Sequence, residues 1–241
     1  MVRWGVLGAG SVAQRRVIPA MVASPDCRLQ ALMVRDPDRA RQLALQFGPA
    51  RGCARVQELL EDPEVEAVYV SSPVDLHCEH VLAAAQHGKH VLCEKSMALS
   101  ADQCGRMVAA CQQAGVHLEV CFVLRGWAVE ETAVTLVEFR SGAHGTLTVS
   151  CAVPHAGNVL EVYGTEASLL LGQSLRIVGA GGEETEPVGS PDYYAGLLTH
   201  FCRCVTHGGE PLASGLDGLR NTEAVLAAYR SAQEQRIVEI A

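Results

Sequence analysis

No run of apolar residues in this chain is long enough to cross a bilayer, so no membrane span is expected. The opening MVRWGVLGAG moves straight into a strand and turn. It lacks the apolar core and small-residue cleavage site of a signal peptide, so a cytoplasmic protein is expected. Lys and Arg are not clustered and the net charge is −8, the opposite of what a phosphate backbone attracts, so no nucleic-acid partner is expected. Internal repeats and low-complexity tracts are missing. C-x-x-C pairs are missing too, although the chain has 10 cysteines. Most of these sit in apolar runs, as Cys93 does in HVLCEK and Cys121 in LEVCFVL, and they read as small core hydrophobes. Cys202-Arg203-Cys204 has no second pair nearby and makes a poor zinc site, so no metal is expected.

What is present is a soluble composition, 49% hydrophobic and 19% charged over 241 residues, enough for one large domain or two smaller ones. The N-terminal half alternates strand and helix patterns. Val2–Leu7 is a short apolar strand, followed by a glycine turn and a helix to about Ala23. Leu29–Val34 is the next strand, then a helix from Asp38 to Phe47 that stops at Gly48. A short helix over Val56–Glu61, the strand Ala67–Ser71, a helix Leu76–His87 closed by Gly88 and the strand His90–Cys93 follow. A helix over Ala101–Ala114 then leads to the strand Leu118–Leu124. This series predicts a mostly parallel sheet with helices on both faces.

After Leu124 the pattern changes. Thr132–Phe139, Thr146–Ala152 and Val159–Gly164 alternate like strands, and Ser168–Leu171 and Leu175–Val178 are shorter candidates before an acidic, Gly-rich loop over Gly179–Glu186. Helices over Tyr193–Thr206 and Leu216–Glu234 come next, and Ile237–Ile240 is placed as a closing strand. The expected fold is therefore α/β: a Rossmann domain over 1–124, then a smaller α+β domain over 125–241 with a predominantly antiparallel sheet.

Gly8-Ala9-Gly10-Ser11-Val12-Ala13 fits the dinucleotide fingerprint, with Ala in the third small position. Gly8 allows the tight turn, and Gly10 admits a pyrophosphate to the backbone at the helix N-terminus, beside Ser11 and Val12. Ala13 lets helix and strand pack closely. At the end of the second strand an acid would bond the adenosine ribose, whereas an arginine would accept a 2′-phosphate. Arg35-Asp36 offers both. Asp36 precedes Pro37 and is also a candidate helix cap, which tips the expected cofactor slightly from NAD(H) to NADP(H).

A third cluster runs Ser71-Ser72-Pro73-Val74-Asp75-Leu76-His77, then Gly88-Lys89-His90-Val91-Leu92-Cys93-Glu94-Lys95-Ser96. With the glycine fingerprint, these segments resemble the Gfo/Idh/MocA family of glucose–fructose oxidoreductases and inositol dehydrogenases. Its members carry P-x-x-x-H after the fourth strand and G-K-H-V-x-x-E-K-P around the fifth. Ser96 stands here in place of the usual proline. The resemblance implies that Lys95 lies beside the nicotinamide, holds a substrate oxygen and assists proton transfer. It also implies that Glu94 lines the cofactor site and that Ser72, Pro73 and His77 pack along the dinucleotide. From residue type alone Lys95 is equally a surface lysine after a strand, but the C-terminal edge of a parallel sheet is where ligands bind. His77-Cys78-Glu79-His80 puts two histidines on one helix face without a third ligand, a poor metal site.

The second half is similar to the family more loosely, at Glu161–Leu169 and from Pro211 to the C-terminus. It also departs from it. Arg125-Gly126-Trp127 joins the halves where family members carry a long segment, including a helix with an Asp-x-x-x-His motif whose histidine partners the lysine. No counterpart is present. His155, Tyr193, Tyr194 and His200 are the replacement candidates at the substrate, each also a plausible core or interface residue. A shortened sheet leaves an apolar face that a homodimer through the C-terminal sheet would cover. The function expected is an NAD(P)-dependent oxidoreductase moving hydride to or from a small polyhydroxylated, sugar- or cyclitol-like substrate. The alternative is a redox-inactive NAD(P)-binding regulatory or partner subunit.

Overall fold

The computed structural model describes residues 1–48, 51–122, 132–150, 159–189 and 192–240. They fall into two compact units, Met1–Val123 with Asp192–Ala241, and Leu124–Pro191. Among the described residues no helix is long and apolar enough to cross a membrane.

In the first unit, β1 (Val2–Leu7) leads through a π-helical turn, Ala13–Val17, into α1 (Ile18–Ala23). β2 (Cys27–Met33), α2 (Pro37–Phe47), β3 (Arg51–Cys53), α3 (Val56–Leu60), β4 (Ala67–Val70), α4 (Val74–Gln86), β5 (His90–Glu94), α5 (Ala101–Ala114) and β6 (Leu118–Cys121) follow. The six strands lie in the order β3-β2-β1-β4-β5-β6, every neighbouring pair parallel. Chain order reverses between β1 and β4, which opens a ligand crevice at their C-terminal ends.

The alternation of the strands sorts the core into two layers. Trp4, Val6, Tyr69 and Leu92 face one side, and Leu7, Val68, Val70, Val91 and Cys93 face the other. Both sides are buried, as a parallel sheet between helical layers requires.

The second unit contains β7 (Thr132–Glu138) and β8 (His144–Ser150), an antiparallel pair. It also contains the antiparallel four-stranded sheet β9 (Leu160–Tyr163), β10 (Ala167–Leu171), β11 (Ser174–Gly179) and β12 (Gly182–Pro187). The acidic stretch expected as a loop is therefore largely strand. Glu183 to Glu186 pair with Val178 back to Leu175, and Arg176 Nε holds Glu183 at 2.7 Å. Every β12 side chain is exposed, so the strand rests on backbone pairing and its composition hides it.

The last two helices, α6 (Tyr193–His207) and α7 (Gly215–Glu234), belong to the first unit rather than to the antiparallel sheet. The division differs in this from the 1–124 and 125–241 expected from the sequence. Packing is the reason. Leu198, Phe201 and Cys202 on α6 form one apolar stripe buried in the Trp4 layer, with Phe201 and Trp4 ring centroids 5.4 Å apart. Burying a side chain of that size contributes roughly 2–3 kcal/mol. On α7, Gly218 lies so close to the sheet that a Cβ there would meet Val120 Cγ2 at 2.6 Å. The Ser214–Asp217 capping box starts that helix where Ala213 O accepts from Val120 N at 2.8 Å. The closing strand expected at Ile237–Ile240 does not form. Gln235 ends α7 in the left-handed conformation, and Ile237 beyond it is 81% exposed.

Candidate active site

The crevice is built from three turns at the C-terminal ends of β1, β4 and β5. Gly8 has φ +86°, and a Cβ there would meet Ser72 N at 2.8 Å, so both its conformation and its surroundings require glycine. Gly8 N donates to Met33 O at 2.9 Å, and the Ser71 hydroxyl donates to Gly8 O, locking the turn between β2 and β4. Gly10 is different. The nearest atom to a Cβ there is Ser71 O at 4.0 Å, which leaves open the cradle that a pyrophosphate fills. Ser11 and Val12 follow at the helix start, with Ser11 Oγ accepting from Arg15 and Val12 47% exposed. Ala13 is fully buried.

At the end of β2 the two candidates part. Asp36 caps α2, its Oδ1 accepting from Asp38 N at 2.9 Å and Arg39 N at 3.1 Å. Arg35 is exposed, and among the described residues its guanidinium has no partner. The residues present thus fit a nicotinamide dinucleotide, and Arg35 stands just past the end of β2 with its cation uncommitted among the described residues.

The turns after β4 and β5 are joined by one buried ring. His77, near the start of α4, places Nε2 at 2.8 Å from Ser72 O and Nδ1 at 3.0 Å from Ser96 O. A neutral imidazole donates to one of these carbonyls at a time; only the imidazolium serves both. His80, one turn on, meets Ser72 Oγ at 2.9 Å, and burial lowers its pKa. Pro73 stands at the N-terminal boundary of α4. Both histidines are thus engaged with the Ser72 turn. Lys89, in the Gly88-Lys89-His90 segment, is buried and donates to Asp62 O at 2.9 Å and Val65 O at 2.7 Å, fastening the approach to β4. Burial lowers its pKa.

Glu94 ends β5 and Lys95 follows it. The Tyr69 hydroxyl donates to Glu94 Oε1 at 2.5 Å, the Lys95 amide reaches Oε2 at 3.2 Å, and the Cys121 thiol bonds the same carboxylate. Burial, then the Glu94 charge, push the Tyr69 phenol far up, so it stays protonated and remains a donor. Lys95 is half-buried, and among the described residues its ammonium has no partner. The Lys95–Ser96 peptide is cis.

Sequence reasoning missed Tyr69 and Cys121 as the holders of Glu94. The available signal was a tyrosine inside an otherwise apolar strand, whose hydroxyl needs a partner once buried. Of the replacement candidates, His155 lies outside the described residues. Tyr193 is 57% exposed at the start of α6, and Tyr194 packs on the Trp4 layer. His200 sits along α6 with Nδ1 3.6 Å from Cys204 Sγ.

A doubly wound parallel sheet with a glycine cradle at its switch point defines a dinucleotide-binding Rossmann fold. Residues 2–122 match the model of the oxidoreductase family with NAD-binding Rossmann fold, Gfo/Idh/MocA, and residues 104–170 match a C-terminal domain model of that family. The chain belongs to this family. It is 40% identical over 128 residues to the 1,5-anhydro-D-fructose reductase of Ensifer adhaerens, a match covering 53% of this chain and 38% of that protein. It is 34% identical over 202 residues to the dTDP-3,4-didehydro-2,6-dideoxy-alpha-D-glucose 3-reductase of Streptomyces violaceoruber, covering 74% and 57%. The chain thus spans less than two thirds of the length of these curated relatives. In fold it is similar to an Agrobacterium radiobacter oxidoreductase solved with NAD+, L-tartaric acid and magnesium. The TM-score is 0.86 at 19% identity, covering 99% of this chain and 98% of that one.

Proposed function

We propose that this protein is an NAD(P)-dependent oxidoreductase that moves hydride to or from a carbon of a small, sugar-like polyhydroxylated substrate, with Lys95 as the catalytic residue. One observation carries the reading. The Lys95 ammonium is uncommitted at the C-terminal edge of the sheet, next to a carboxylate already held by other donors. The nicotinamide supplies or accepts the hydride when bound. Lys95 donates a charged hydrogen bond to the substrate oxygen and holds its proton as the carbon changes oxidation state. Glu94 is held in place beside that lysine by the Tyr69 hydroxyl and the Lys95 amide. Names of relatives that act on sugars support the substrate class.

Arg35 selects NADP(H) in this reading, since Asp36 is occupied as a cap. Arg35→Ala is expected to cut the preference for NADPH over NADH by roughly tenfold in a fluorescence titration, as loss of one charged phosphate contact would. An unchanged ratio would assign cofactor choice to another residue.

A second reading, a redox-inactive cofactor-binding subunit, is favoured by the short join at Arg125-Gly126-Trp127. Lys95→Ala separates the two. In the enzyme it lowers turnover about 10²–10⁴-fold while NADPH binds within about threefold of the parent. A parent chain that binds NADPH yet turns over no sugar, cyclitol or keto-sugar would establish the binding subunit instead. We further propose a homodimer through the C-terminal sheet. Val162, Leu169 and Ile177 stand side by side across β9, β10 and β11, and the first two are 48% and 40% exposed. Sedimentation as a monomer at micromolar concentration would remove it.

A further inference from the structure

Cys27 on β2 and Cys202 on α6 are 175 positions apart, yet their Sγ atoms lie 3.5 Å from each other in the Trp4 layer of the core. Each belongs to an element held by its own packing, so the meeting is a product of the tertiary fold. The fully buried Trp4 indole adds an independent observation. Its Nε1–H has no hydrogen-bond partner among the described residues, and it lies near enough to the two sulfurs to lower the pKa of each. An orphaned buried donor is costly unless a polarisable or charged acceptor faces it. The groups nearest to this orphaned donor are sulfurs, and a thiolate would suit the indole better than a thiol.

We propose that Cys27 and Cys202 form an oxidation site that closes into a disulfide with peroxide, stapling α6 to the nucleotide-binding sheet. Cys27 is the attacking sulfur and Cys202 the resolving one. Either thiol can donate across the 3.5 Å contact; Cys27 is the more exposed of the two, and when Cys202 donates to it the Cys27 pKa falls while the hydrogen bond and burial raise that of Cys202. Ser24 also donates to Cys27; Asp26 is the opposing negative charge. The lone pair of the Cys27 thiolate attacks one oxygen of hydrogen peroxide and the O–O bond breaks. The departing hydroxide is protonated to water, leaving Cys27 as a sulfenic acid. Cys202 sulfur then attacks Cys27 sulfur, the S–O bond breaks, and the leaving hydroxide takes the Cys202 proton as a second water. Two thiols and one peroxide become one disulfide and two waters. Peroxide is small enough to reach sulfurs that are 6% and 3% exposed.

The consequence is thermal. The new bond closes a loop around nearly the whole cofactor-binding sheet, and long closed loops give the largest stabilisation. The test treats the intact protein with a few equivalents of hydrogen peroxide, blocks remaining thiols with iodoacetamide and digests without reductant. The expected product is the Cys27 peptide joined to the Cys202 peptide at two hydrogens below their summed mass. A melting midpoint about 5–10 °C higher, reversed by dithiothreitol, should accompany it. In Cys202→Ser the Cys27 sulfenic acid should accumulate and be captured by dimedone. Recovery of both peptides carrying iodoacetamide, or a cross-link between any other pair of cysteines, would overturn the proposal.

Discussion

The two units solve the same problem, covering the faces of a sheet, in opposite ways. Every residue of β4 and β6 is buried, whereas every residue of β9 is exposed. The first sheet carries helices on both faces, including two that arrive from the far end of the chain. The second unit is built of antiparallel strands in two sheets, with aliphatic side chains such as Leu136 on one and Leu160 on the other at 73% and 58% exposure. Helical layers let a strand be apolar on both sides. A hairpin sheet without them keeps a face that only another surface can cover. Stability should therefore concentrate in the first unit.

Phe201→Ala tests that most severely. It empties a fully buried ring site against Trp4 and is expected to cost about 3–5 kcal/mol, read by urea denaturation. A cost under 1 kcal/mol would mean that α6 is not integral to the first unit.

The next effect concerns Glu119, fully buried on β6 with Oε2 unpartnered and Oε1 accepting from Ala213 N at 3.4 Å. Burial pushes its carboxyl from the ordinary 4.5 to about 7. The folded state therefore holds a proton there that the unfolded chain releases near 4.5. Stability falls as pH rises from about 4.5 to about 7 and is level above that, with the loss bounded at ~3 kcal/mol. Glu119→Gln should flatten that window, so the variant gains on the parent at pH 8 relative to pH 5. Parallel pH profiles for the two would show that the carboxylate finds water.

Val162→Thr, on the exposed sheet face, should change unfolding stability by less than ~0.5 kcal/mol while weakening self-association. A core-sized loss in a monomeric chain would erase the contrast between the units.

Much of the first unit was legible because its signals are local. The glycine turn and the helix Ala101–Ala114 need only neighbouring residues to specify them, and the structure places that helix at those bounds. Asp36 was ambiguous for the same reason: a cap and a ribose ligand look alike until the backbone amides of Asp38 and Arg39 are seen to take its oxygen. What was not legible depends on distant partners. Tyr69 and Glu94 meet across 25 positions, and β12 exists only because β11 offers it a backbone ladder. Likewise Leu198 and Phe201 give α6 an apolar stripe without saying which sheet receives it. Periodicity identifies a buried face but not its neighbour.

The second unit enters the chain between β6 and α6, with both of its ends tethered to a body that is complete without it. In mechanical terms it is a loop hung from two anchor points, and its length is not part of the anchor's design. Strands can be gained or lost inside that loop while Trp4, Phe201 and Gly218 keep their neighbours. Evolution can therefore trim or extend the second unit of such a protein with little penalty to the packing of the first.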